Sequence, residues 1–112
     1  MIDIDKIREY TGADDEFIGA LFTKFLDHLD EDLAELVSEA EKEQWQNVRK
    51  KTHAMLSSAR IFHLEEIVQL SLEIEQKVDV EDFGGLMGKT SQLQKLYKDF
   101  GVQATDFKKS LR

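Results

Sequence analysis

A histidine and a group of cations share one window of this chain. None of the 23 Asp and Glu residues falls between Glu43 and Glu65, whereas Arg49, Lys50, Lys51 and Arg60 do, with His53 among them. A helix-length stretch cleared of acids in an acidic protein suits a negatively charged group. Chance clustering around a surface histidine is the plain alternative. A neutral imidazole is a good nucleophile near neutral pH. Cations spaced around it would stabilise a phosphorylated product and the transfer state leading to it.

The helix that carries His53 is predicted from about Trp45 to Phe62. Its apolar stripe is Val48, Thr52, Met55, Ala59 and Phe62. At roughly 100° per residue, His53 lies roughly 140° from the centre of that stripe and faces solvent. Arg49, Ser57 and Arg60 share its face at i−4, i+4 and i+7, and Lys50 flanks it at i−3. Leu56 sits at the boundary between core and surface. Ser57 is small enough for a partner to approach the ring.

The other elements are helical too. Asp3 can cap a short helix to about Tyr10, ended by Gly12. Asp14 or Asp15 caps a long one to about Glu41, with Ile18, Leu21, Phe22, Phe25, Leu29, Leu33, Leu36 and Ala40 at three-four spacing. Its acids Asp27, Asp30, Glu31, Asp32, Glu35 and Glu39 read as a solvated face. After a turn near His63, a helix from about Leu64 to Val78 turns Leu64, Ile67, Leu70 or Ser71, Ile74 and Val78 inward. Asp79 to Asp82 form a turn. The last helix carries Leu86, Thr90, Leu93, Tyr97, Phe100, Ala104, Phe107 and Leu111. Gly84, Gly85 and Gly88 mark either a loose entry or a close helix contact. Gly101 lowers helix propensity without having to break the helix. No strand pattern or repeat competes. The expectation is an all-α, antiparallel up-down four-helix bundle with a short extra N-terminal helix, one domain over residues 1–112.

Composition narrows the function. A net charge of −8 argues against nucleic acid and anionic membranes as partners. With no Cys, thiolate chemistry is excluded. The N-terminus lacks signal-peptide character, and no apolar run approaches the ~20 residues of a membrane helix, so a cytoplasmic protein is expected, with a monomer as the default state. No Glu-x-x-His pair, two-histidine metalloprotease motif or Gly-rich phosphate loop occurs, so neither metal nor cofactor is expected. His28 and His63 read as surface or capping residues.

The run His53-Ala54-Met55-Leu56-Ser57-Ser58-Ala59-Arg60-Ile61-Phe62-His63 resembles the histidine-containing phosphotransfer (HPt) domain pattern: His, any residue, Leu, Lys, Gly, Ser, Ser or Ala, two variable residues, an apolar residue, then Gly. A Phe-Leu helix upstream, a Trp opening the histidine helix and Leu-Glu-Glu-Ile opening the next extend the likeness over essentially the whole chain. The resemblance implies a phosphocarrier of a two-component phosphorelay and not an enzyme in its own right. His53 would accept a phosphoryl group from a receiver-domain aspartate, or from a kinase, and pass it to another receiver. The receiver would supply magnesium and most of the catalysis; the HPt domain supplies an oriented nucleophile and a docking face. Receiver domains, with a hybrid histidine kinase as a further candidate, are the implied partners.

Three positions depart from the pattern: Leu56 stands for Lys, Ser57 for Gly and His63 for Gly. Arg60, Lys50 or Arg49 then has to stand in for the absent lysine. His63 still permits the turn, since His tolerates positive φ better than most residues. Gln76 or Gln69, on the neighbouring helix, is expected to hydrogen-bond His53 and set its tautomer. Leu56, Phe22 and Leu26 are candidates for an apolar docking rim, with Phe22 also readable as core. A starting Met and the fit to one domain suggest a free-standing chain. The rival reading is a helical adaptor that binds receiver or kinase domains through the same face without being phosphorylated.

Overall fold

The computed structural model describes residues 2–12 and 14–110, all helix and turn. Five helices follow in order: α1 (Ile4–Thr11), α2 (Asp15–Glu41), α3 (Trp45–Ile61), α4 (Glu65–Asp79) and α5 (Leu86–Ser110). Leu111, placed in the last apolar stripe, lies outside the described residues.

Caps set the first two boundaries. The Asp3 side chain accepts from the Lys6 N–H at 3.2 Å, and Gly12 closes α1 at φ 65°. Asp14 caps α2, accepting from the Phe17 N–H at 2.9 Å. Asp15 is thereby released for a forked pair with Arg8, both contacts at 2.6 Å, which ties α1 to α2. This pair holds the Asp15 carboxyl below its ordinary range and pushes the Arg8 guanidinium up.

The next three turns share one geometry. Glu43, His63 and Glu81 adopt φ of 57°, 55° and 57°. After each, the next N–H reaches back five residues: Gln44 to Glu39 O, Leu64 to Ala59 O and Asp82 to Lys77 O, at 2.9, 2.9 and 2.8 Å. These are Schellman turns, usually closed by Gly. Here Glu, His and Glu carry the left-handed residue, with the conformational cost that implies.

Each long helix packs on its chain neighbour, and α5 returns to α2, while α1 lies against α2 and α3. Val48, Met55, Ala59, Ile67, Leu70, Ile74, Val78, Leu86 and Leu93 fill the central core with the inward face of α2. One end is aromatic: the Phe22 ring lies tilted 4.7 Å from Phe62 and edge-on 5.9 Å from Phe100, and Ile7 of α1 seals the cluster. Phe22 is fully buried, so it is core and forms no docking rim. Burying such a ring contributes about 2–3 kcal/mol. At the other end Trp45 stacks on Phe83, centroids 6.3 Å apart. Leu70 and Ser71 are both buried, so α4 uses both alternatives.

The glycines divide by position. Gly84 and Gly85 precede α5, Gly85 at φ 77°, and Gly88 lies inside the helix with open space around it. Gly101 is the close contact: a Cβ there would meet Leu29 Cδ2 at 2.8 Å, so its missing side chain lets α5 approach α2. Leu26 lines the same α2–α5 crossing, which turns it away from His53.

Candidate functional site

Four anchors hold α3 in rotation. Its buried positions are Val48, Thr52, Met55, Leu56 and Ala59. Lys51 reaches Asp32 and Glu35 of α2 at 2.9 and 2.7 Å, so two acids expected on a solvated face instead fasten α2 to α3. Those carboxylates push the Lys51 ammonium up. The Tyr97 hydroxyl of α5 donates to the Met55 carbonyl at 3.3 Å, and burial pushes that phenol well above its ordinary value. On the α4 side the anchors are Arg49 and His53 themselves.

The His53 side chain is 66% exposed, as helical periodicity predicts. Its Nδ1 lies 2.6 Å from Glu75 Oε1. A carboxylate can only accept, so in the neutral imidazole Nδ1 carries the proton and Nε2 keeps its lone pair. The orienting contact belongs to Glu75 and not to Gln76 or Gln69, both of which are exposed. Glu75 is four residues after Ser71 and three before Val78, on the edge of the buried face of α4. Gln76 is turned a further ~100° toward solvent. The spacing from Ser71 and Val78 is the signal in the sequence that would have selected Glu75.

Glu75 is 8% exposed, and a buried carboxylate needs compensation. Arg49 supplies it, with Nη1 3.7 Å from Glu75 Oε1. The rest of the guanidinium grips Asp79, Nε at 2.7 Å and Nη2 at 3.2 Å. Arg49 is therefore turned to the carboxylates of α4 and is not a free cation on the histidine face. Hydrogen bonding to Arg49 holds the Asp79 carboxyl below its ordinary range and pushes Arg49 up. Asp79 joins the site from what the sequence presents only as a turn.

Lys50, Ser57 and Arg60 are exposed on α3, and the two cations have no ion-pair partner among the described residues. Leu56 is 2% exposed, so the position where the HPt pattern has Lys points inward in this chain and belongs to the core instead of a docking rim. His63 occupies the pattern's terminal Gly position in the left-handed conformation that Gly favours, its ring edge-on to Tyr10 at 5.1 Å.

Beside His53 a groove of about 340 Å³ runs between α2 and α3, lined by Leu21, Lys24, His28, Ala54, Ser57 and Ile61 among others. Among the described residues, no three His, Cys, Asp or Glu side chains converge as a metal site requires, and no helix is long and apolar enough to cross a membrane.

A family model described as the Hpt domain matches residues 20–101. Comparison with curated proteins and with solved structures gave no match. Hpt domains are helical carriers of phosphoryl groups in two-component signalling. The match covers well over half the sequence and takes in α3 with His53 and α4 with Glu75: the chain belongs to the Hpt domain family.

Proposed function

We propose that this protein is a phosphorelay intermediate, built as an antiparallel up-down four-helix bundle, in which His53 accepts a phosphoryl group from a receiver-domain aspartate, or from a kinase, and passes it to a second receiver. The observation that carries this reading is the 2.6 Å contact between His53 Nδ1 and Glu75, which leaves Nε2 exposed as the nucleophile.

The Nε2 lone pair forms the N–P bond while the P–O bond to the donor aspartate breaks, its electron pair leaving on that carboxylate. Positive charge developing on the ring is met by Glu75, which holds the Nδ1 proton. Onward transfer reverses this sequence: the N–P electron pair returns to Nε2 as the acceptor aspartate bonds to phosphorus. Lys50 and Arg60 are the cations free to face the phosphoryl oxygens, and Ser57 leaves the approach open. Apolar docking moves from Leu56, Phe22 and Leu26 to Leu21, Phe25 and Ile61 around the α2–α3 groove. Receiver contact there is small and transient.

Incubation with a phosphorylated receiver should place an acid-labile, alkali-stable label on the wild type and none on His53→Gln. Receiver binding without label would favour the unphosphorylated adaptor and overturn the phosphocarrier reading.

A further inference from the structure

We propose that Arg49 and Asp79 form a positioning pair that sets the tautomer of His53 through Glu75. The proposal rests on His53 being the phosphoacceptor, and it gives Arg49 a role other than gripping phosphate.

Two i,i+4 pairs face each other across α3 and α4. Arg49 lies one turn before His53, and Asp79 lies one turn after Glu75. Three contacts join them: His53 Nδ1 to Glu75 Oε1 at 2.6 Å, Arg49 Nη1 to the same oxygen at 3.7 Å, and Arg49 Nε to Asp79 Oδ1 at 2.7 Å. The three charged members alternate in sign, Arg49 lying between Glu75 and Asp79. The deepest member is Glu75, 8% exposed, whereas the His53 side chain is 66% exposed.

Each outer residue has a distinct task. Arg49 compensates the buried carboxylate and keeps it an acceptor. A Glu75 that took up a proton would donate to Nδ1, drive the ring proton to Nε2 and block the nucleophile. Asp79 restrains Arg49. It occupies Nε and Nη2, the side of the guanidinium best suited to bidentate carboxylate pairing. Only Nη1 is left toward Glu75, too far away to displace the imidazole. Without Asp79, the guanidinium is free to take both Glu75 oxygens and pull the carboxylate off the ring. Losing Arg49 and releasing it thus have the same consequence at His53.

A phosphate-gripping Arg49 predicts the opposite for Asp79, whose removal would free the cation and speed transfer. The two roles separate by experiment. Long-range proton–nitrogen NMR of the full chain reads the His53 tautomer without any phosphoryl donor, and single-turnover transfer from a phosphorylated receiver reads the chemistry. Arg49→Gln and Asp79→Ala should each lower the share of the Nδ1–H form and slow transfer about tenfold, the scale of one charge-assisted hydrogen bond. In a Glu75→Gln background the same two substitutions should have little further effect on either readout, because the coupling runs through the carboxylate. An unchanged tautomer in both single variants, or faster transfer in Asp79→Ala, overturns the proposal. If the wild type takes no label, the phosphocarrier reading falls, while the tautomer measurement still decides whether the pair positions the ring.

Discussion

Glu75 Oε1 and His53 Nδ1 stand 2.6 Å apart, one group buried and the other in solvent. The carboxylate is fixed by packing and the ring takes its orientation from it. Glu75→Ala removes the acceptor, so the ring samples both tautomers. Transfer from a phosphorylated receiver should slow by about tenfold or more. Urea unfolding should move by no more than about 1 kcal/mol, since the variant also removes a desolvated charge.

Leu56 tests the departure from the family pattern. Its side chain is 2% exposed, so Leu56→Lys puts an ammonium against the core. A loss of about 2–3 kcal/mol in urea unfolding is expected, with no gain in transfer rate. Transfer that quickens at unchanged stability would show that a lysine here reaches the phosphoryl group.

Gly88 and Gly101 should respond in opposite directions. Both lie within α5, but a Cβ on Gly88 meets nothing within 4 Å, while one on Gly101 meets Leu29 at 2.8 Å. Gly88→Ala should stabilise by about 0.5–1 kcal/mol through helix propensity. At Gly101 the same gain is offset by overpacking of about 1–3 kcal/mol, so Ala should leave stability unchanged or lower. Thermal melts of the two variants give the comparison directly.

The three Schellman turns offer a second stability test. Glu43 and Glu81 are exposed at φ 57°, so Glu43→Gly and Glu81→Gly should each raise stability by about 0.5–1 kcal/mol. His63→Gly gains the same backbone relief but loses the edge contact with Tyr10, and should be close to neutral. Denaturant midpoints for the three would expose any turn where the side chain matters more than the backbone.

The Arg49–Asp79 pair has a pH signature. Asp79 has a folded-state pKa below its unfolded value, chiefly through the Arg49 hydrogen bond. The stabilisation it provides is fully present above the unfolded carboxylate pKa and is lost as pH falls through the lower folded one. At neutral pH the pair is intact. The Asp79 side-chain carbon resonance should titrate below the ordinary carboxylate range in the wild type and shift upward in Arg49→Gln. Coincident titrations would mean that the pair does not persist in solution.

Much of the fold could be read from local pattern. Three-four spacing placed every long helix to within a few residues, and the same arithmetic put His53 on the exposed face of α3. Periodicity is a property of one helix at a time, so it needs no partner to be legible. The turn at His63 was readable too, because the family pattern has Gly there and His tolerates positive φ better than most residues.

The sequence by itself thus determined the helical class, the exposure of the histidine and the family pattern around it. Tertiary structure alone decided what surrounds the ring. It selected Glu75 over Gln76, turned Arg49 toward Asp79, buried Leu56 and spent Asp32 and Glu35 on Lys51. The physical reason is that a cross-helix contact depends on the rotation and axial register of two helices together. A shift of one residue turns a side chain by about 100° and moves it about 1.5 Å along the axis, enough to exchange a tautomer-setting carboxylate for a solvent-facing amide.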